Sequence, residues 1–386
     1  MAATPEIFRN HPKELPHAYG FDEVAIVPGE ETINPELCEP TVEIAGYQLK
    51  FPILAAAMDA VVDPDFAVRF SRLGSLAVLN LEGIQTRYQN PEEVLVKIRE
   101  CPTQDSTSVI QEIYRKPIEE NLVFQRIKEI KERGGVAIVS STPQMAKRLG
   151  PIAAEAGVDI FVVQSTVTTA RHISTSQTGL GFKQFVDQME IPVVVGNIVT
   201  FKQSYELMEE GVASVLCGVG PGAACTSREV LGIGVPQITA TLDCASARDQ
   251  YFKKTGRYVP IITDGGIVGS GDFVKALVAG ADAVMIGSMF VACREAPGQG
   301  YNWGMSTSDN ALPRGTRVKI GIQTDLEKLL FGPTSNTAGK ENLVGALKIA
   351  MGMCGARTIG ELRKTELVHA PAIKTEGKIY QNNPQI

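Results

Sequence analysis

Eight short runs of the chain are apolar at nearly every position: Phe51–Ala57, Ser75–Leu79, Val136–Val139, Asp159–Val163, Pro192–Val195, Ala213–Cys217, Val259–Thr263 and Ala283–Ile286. None alternates apolar with polar positions as a strand with one wet face does, so each reads as a strand covered on both sides. Between most of them the period lengthens to that of a helix, over Asp65–Leu73, Asn121–Arg133, Thr142–Ala156, Thr200–Glu210, Pro236–Lys254 and Ser270–Ala279. Several of these segments stop at a glycine, among them Gly74, Gly134, Gly157, Gly211, Gly256 and Gly280, where helices commonly end. Buried strands alternating with helices predict an α/β fold, a parallel (β/α)8 TIM barrel, for which about 250 residues is typical. Strand count alone leaves a doubly wound open sheet as the alternative. The whole chain, 1–386, reads as one catalytic barrel with N- and C-terminal extensions, its strands over about 51–287 and a C-terminal extension over 288–386. Tyr88–Asn121 is polar and weakly patterned and is expected to elaborate the barrel.

Composition narrows the class. With 44% hydrophobic and 21% charged residues in 386, the chain can bury a large core, which excludes a disordered chain or a disulfide-stapled module. Lys and Arg number 37 against 43 Asp and Glu, a formal charge of −6, so no overall basic field exists to hold nucleic acid or an anionic membrane. The 7 cysteines are scattered without a Cys-x-x-Cys pair, which argues against a disulfide framework or a zinc cluster and fits a reducing cytoplasm. The start, MAATPEIFRN, lacks a charged stretch followed by an apolar core, and no apolar run is long enough to span a bilayer. His11, His17, His172 and His369 are too few and too scattered for a histidine metal site and read as solvated or capping residues. The run Lys128–Arg133 reads as the wet face of a helix.

In such a barrel the reacting groups belong at the carboxyl ends of the strands. Met58 and Asp59 follow the first run, Asn80 the second, Ser140 the third, Gln164, Ser165 and Thr166 the fourth, and Gly196 and Asn197 the fifth. The loop after the sixth, GVGPGAACTSR, carries Gly218, Gly220 and Gly222 ahead of Cys225, and this composition lets backbone approach a ligand closely. A cysteine displayed there can be a nucleophile if a neighbour such as Ser227 or Arg228 supports the thiolate. The alternative is a small apolar residue that only fills the loop. Asp264-Gly265-Gly266-Ile267 and Gly287-Ser288 leave the seventh and eighth runs, where barrels often bind phosphate through loop amides. An ionised Asp264 suits a ribose diol, because a carboxylate accepts two hydroxyl hydrogen bonds at once.

The segments YGFDEVAIVPG (19–29), PILAAAMDAVVD (52–63), VVVGNIVT (193–200), GVGPGAACTSREVLGIGVPQITA (218–240), ITDGGI (262–267), VMIGSMF (284–290) and MGMCGARTIGELR (351–363) resemble the IMP dehydrogenase/GMP reductase family. The resemblance implies the (β/α)8 barrel, a purine nucleotide substrate (IMP, XMP or GMP), NAD as cofactor, and assembly as a homotetramer or octamer. Carried onto this chain, it makes Cys225 the nucleophile that attacks C2 of the purine, with Ser227 beside it. Asp264 would hold the ribose, Gly266, Gly287 and Ser288 the phosphate, and Met58, Met305 and Ser306 the base region. Asn197, Gly218 and Gly220 would lie beside purine and nicotinamide, with Gln164, Ser165 and Thr166 on the cofactor side. The backbone carbonyls of Gly220, Gly222 and Cys225 match positions that hold a monovalent cation such as potassium (K+), with Glu376 and Gly377 as a contribution from a neighbouring subunit.

The chain also departs from the family pattern. Ala223 replaces a serine that helps bind phosphate, and Gln164 replaces a cofactor-side aspartate. Only a short connection separates Asn80 from Val136, so the paired CBS module is absent. The stretch GMSTSDNALPRGTRV (304–318) is too short for the flap whose Arg-Tyr pair activates water in the dehydrogenases, and Arg314-Gly315 stands where the reductases carry a catalytic glutamate. Arg314, or failing that Arg317, is therefore expected to activate water and favour dehydrogenation. The alternatives are a GMP reductase, NADPH-dependent, and a nucleotide-binding relative without turnover.

Overall fold

The computed structural model describes residues 15–173, 179–304 and 316–372. Eight parallel strands form a closed barrel: β1 (Ile53–Ala55), β2 (Leu76–Asn80), β3 (Ile138–Ser141), β4 (Ile160–Gln164), β5 (Val193–Ile198), β6 (Ser214–Cys217), β7 (Ile261–Asp264) and β8 (Ala283–Ile286). Each pairs with its chain neighbours, and β8 closes on β1 with Met285 opposite Leu54. Closure removes the open sheet as an alternative. Every strand falls within or beside an apolar run, because burial on both faces leaves a local mark in the sequence.

The helices α1 (Pro64–Leu73), α2 (Pro91–Glu100), α3 (Ser106–Arg115), α4 (Glu120–Glu132), α5 (Pro143–Glu155), α6 (Phe182–Met189), α7 (Phe201–Glu209), α8 (Ser227–Leu231), α9 (Gln237–Thr255) and α10 (Ser270–Val278) alternate with the strands. Asp63 caps α1 by accepting from the Phe66 amide at 2.7 Å, and Gly74 ends it in the left-handed region at φ 101°. Two segments that the pattern left without elements carry helices. The weakly patterned stretch folds into α2 and α3, each only 10 residues long, burying Leu95 and Ile98, and Ile110, Ile113 and Tyr114. The unassigned segment between β4 and β5 contains α6, whose Phe185 and Met189 lie against Gly150 of α5. Such short amphipathic stripes are easily lost among polar neighbours.

Packing forms two layers. Leu54, Val78, Ile138, Val162, Val194, Leu216, Ile262 and Met285 fill the interior, and a second cluster lies between strands and helices. The hairpin Val42–Ile44 and Tyr47–Leu49 inserts Ile44 and Leu49 into the interior cluster with Leu76, Ile138 and Ile160, all near strand starts. The Tyr47 hydroxyl donates to Asp159 at 3.0 Å, just before β4. The amino end of the barrel is thereby plugged, and the carboxyl end is left for a ligand.

Beyond β8, Tyr301–Trp303 pairs with Arg317–Lys319, and helix Leu343–Met353 packs on α10. Leu367–His369 then pairs antiparallel with Val24–Ile26, joining the two ends of the described chain. Among the described residues no helix is long and apolar enough to cross a membrane.

Candidate active site

A cavity of about 430 Å³ opens at the carboxyl end of the barrel, and all eight strands or the turns that follow them contribute to its lining. Met58, Asn80, Ser140, Gln164, Asn197, Asp264, Gly287 and Ser288 line it together with the loop after β6. Asp59 does not join them. Only 2% exposed, its carboxylate accepts from the Ile84 amide at 3.1 Å and from the Tyr114 hydroxyl, while Trp303 Nε1 donates to the same hydroxyl at 3.0 Å. Burial pushes the Asp59 carboxyl up to about 6 against the pull of these hydrogen bonds.

The loop after β6 leaves the barrel through Gly218, at φ 149°. A Cβ there would stand 2.2 Å from the Asp264 carbonyl, so no other residue fits. The loop displays Cys225 as the one exposed cysteine, while Cys38, Cys217, Cys244 and Cys293 are buried. Burial pushes the thiol of Cys293 far up, and a neighbouring Cys244 together with burial does the same to Cys217, which leaves both poor nucleophiles. Cys225 Sγ lies 3.4 Å from Ser227 Oγ at the first turn of α8. Arg228, the other neighbour weighed, instead donates to the Val235 carbonyl at 2.8 Å and braces the loop from outside.

Across the cavity, Asp264 Oδ2 accepts from Asn197 Nδ2 at 2.8 Å and from Gln164 Nε2 at 3.2 Å. A β-bulge in β5, where the register shifts between Gly196 and Ile198, aims Asn197 at this carboxylate. Burial pushes the Asp264 carboxyl up to about 6, and the bond from Asn197 opposes that rise. Gln164 thus binds the expected ribose residue, and of its expected cofactor-side companions Ser165 donates to the Val167 carbonyl at 2.8 Å. Thr166, Gly220, Gly222 and Gly266 also line the cavity. Gly222 O accepts from the Cys225 amide at 2.9 Å, closing a turn within the loop whose carbonyls the family resemblance links to a cation.

Gly287 and Ser288 sit where β8 ends, and a Cβ on Gly287 would meet Met58 Sδ at 3.0 Å. Met305, Ser306, Arg314, Glu376 and Gly377 lie outside the described residues. Arg317, the second choice for activating water, is engaged on the side of the α2 end. It donates to Arg99 O at 3.1 Å and to Cys101 Sγ at 3.3 Å, stacks 4.8 Å from the Tyr301 ring centroid, and does not line the cavity.

Two residues that pattern reading passed over belong to this region. Asn302 lines the cavity, is 1% exposed, and donates weakly to Ser288 Oγ at 3.4 Å, and among the described residues its own Oδ1 has no partner. Gln237 Nε2 donates to Cys217 O at 2.9 Å and to Asp264 O at 3.0 Å, tying the ends of β6 and β7 together. Gln237 stood in the turn into α9 and carried a sequence signal; Asn302 carried none. The fold also brings two of the scattered histidines together. His17 and His369 meet at the rim beside Glu23, with one ligand atom from each within 4.8 Å of the others, because the strand pair Val24–Ile26 and Leu367–His369 joins the chain ends.

A family model described as the IMP dehydrogenase / GMP reductase domain matches residues 18–377. An uncharacterized oxidoreductase of Mycolicibacterium smegmatis is 34% identical over 358 residues, covering 90% of this chain and 96% of the relative. An inosine-5'-monophosphate dehydrogenase of Cryptosporidium parvum is 29% identical over 392 residues, covering 91% and 92%. The crystal structure of an IMP dehydrogenase/GMP reductase-like protein from Corynebacterium glutamicum superposes with a TM-score of 0.88 at 31% identity, over 94% of this chain and 97% of that one. With the barrel, the loop cysteine and the matched length in agreement, the chain belongs to the IMP dehydrogenase/GMP reductase family of oxidoreductases.

Proposed function

We propose that the protein is an NAD-dependent IMP dehydrogenase that oxidises IMP to XMP through a covalent bond to Cys225. The observation that carries this reading is the placement of an exposed Cys225, with Ser227 beside it, in the same cavity as Asp264. The cavity suits a nucleotide: Asp264 offers acceptor oxygens for ribose hydroxyls, and Gly266, Gly287 and Ser288 stand together at the ends of β7 and β8 for a phosphate. Met58, beside Gly287, supplies an apolar contact for the purine. Gln164, Ser165, Thr166, Gly218 and Gly220 line the adjoining wall and would hold the nicotinamide nucleotide.

In this mechanism the Cys225 thiolate adds to C2 of the purine, and C2 loses hydride to leave a thioimidate. NAD, when bound, supplies the hydride acceptor. Water then adds to C2, the C–S bond breaks, the thiol regains a proton, and XMP leaves. Ser227 supports the thiolate by hydrogen bonding, and Arg314 is assigned the activation of water. Gly220, Gly222 and Cys225 would hold a potassium ion through backbone carbonyls, and no step is routed through it. The Arg-Gly pair at 314–315, in place of the reductase glutamate, favours this direction over GMP reduction.

The test follows absorbance of reduced nicotinamide. NADH appearing with IMP is expected; NADPH consumed with GMP would make the protein a reductase, and neither, despite nucleotide binding, would remove turnover. Cys225→Ser is expected to lower kcat by on the order of 10³-fold or more and to abolish a nucleotide adduct seen by intact mass. Arg314→Ala should slow release of XMP from the adduct and leave adduct formation in place.

A further inference from the structure

We infer that His17, Glu23 and His369 form a binding site for a divalent transition-metal cation of the zinc class, which clamps the N-terminal arm to the C-terminal strand at the rim of the barrel. Among the described residues this is the one group of three or more His, Cys, Asp or Glu side chains close enough to share an ion. One atom from each ligand lies within 4.8 Å of the others. Zinc holds nitrogen and oxygen ligands at about 2.0–2.2 Å, which sets tetrahedral ligands roughly 3.4 Å apart. The two histidines are exposed, so small side-chain rotations close the difference.

The backbone carrying the ligands is already fixed, which limits the ordering that binding must impose. Val24 pairs with His369 across the strand pair, and Ala370 N donates to Glu23 O at 2.8 Å. The arm is held at Tyr19, whose amide donates to Thr239 Oγ1 at 2.7 Å and whose carbonyl accepts from Ile238 N at 3.1 Å. Glu23 Oε2 accepts from Gly20 N at 2.7 Å, an outer-shell bond of the kind that orients a ligating carboxylate. The two imidazoles stand edge to face at 5.3 Å, and the Tyr19 ring lies 4.7 and 5.2 Å from them, forming an aromatic wall on one side.

Two neutral imidazoles and a carboxylate suit a borderline cation such as Zn²⁺, with water completing the shell. The clamp bears on the active-site rim. Phe21, between the arm and Glu23, packs 3.5 Å from where a Cβ on Gly266 would stand, and its carbonyl accepts from Lys275 Nζ at 2.8 Å. Loading therefore steadies a wall of the loop that follows β7.

The test uses the full chain, stripped with a chelator and titrated with zinc chloride by calorimetry. One equivalent is expected per chain, together with an upward shift in Tm of a few degrees. His17→Ala and His369→Ala should each weaken zinc binding at least tenfold and remove the Tm shift, with the metal-free Tm of each variant reporting that it folds. Glu23→Gln retains an acceptor for Gly20 and should also weaken binding about tenfold. Absence of zinc uptake overturns the proposal. So does uptake unchanged in the double histidine variant, which would assign the metal to thiols, and so does dependence on only one of the histidines.

Discussion

At Asp264 two neutral amides, Asn197 and Gln164, approach a carboxylate that burial has pushed up to about 6. Accepting two ribose hydroxyls requires the ionised form. Under the proposed function, kcat/KM for IMP is expected to fall as pH drops through about 6, and Asp264→Asn should raise KM by about 10- to 100-fold and remove that limb of the profile. Initial rates across pH for both proteins check this. Cys225 was legible because glycines crowd a loop at a strand's carboxyl end, a feature written in consecutive residues. Asn302 was not, since its place beside Ser288 depends on a strand that returns from beyond the barrel.

Between elements, Tyr114 of α3 joins the turn after β1 to the strand Tyr301–Trp303 by bonding both Asp59 and Trp303. Tyr114→Phe leaves both buried groups short of a partner and should cost about 2–3 kcal/mol, measured by urea unfolding. The same loss pushes the Asp59 carboxyl higher, because the tyrosine bond now lowers it. At the other end of the barrel, Leu49 is 1% exposed within the interior cluster. Leu49→Ala is expected to cost about 2–5 kcal/mol by the same method, while the nucleotide adduct on Cys225 that the proposed function requires is left in place, since plug and cavity occupy opposite ends. The plugging hairpin lies before the first barrel strand, and neither its length nor its composition announces that it turns beneath the sheet.

For the whole molecule, Asp59, Asp63 and Asp264 each rise to about 6 chiefly through burial. Between about pH 4 and 6 the folded chain holds more protons on these groups than the unfolded chain does, so their contribution to stability falls as pH rises through that window. Asp59→Asn should lose less stability than the parent between about pH 4 and 7, by about 2–3 kcal/mol, as read from urea midpoints at each pH. Strand and helix positions, the glycine-rich loop and its cysteine could be read from the chain because periodicity and turn chemistry act between near neighbours. Barrel closure through β8 and β1, the bulge that turns Asn197 onto Asp264, and the meeting of His17 with His369 arise from residues far apart in the chain. Such contacts exist only once packing has chosen which distant surfaces touch, so no local pattern carries them.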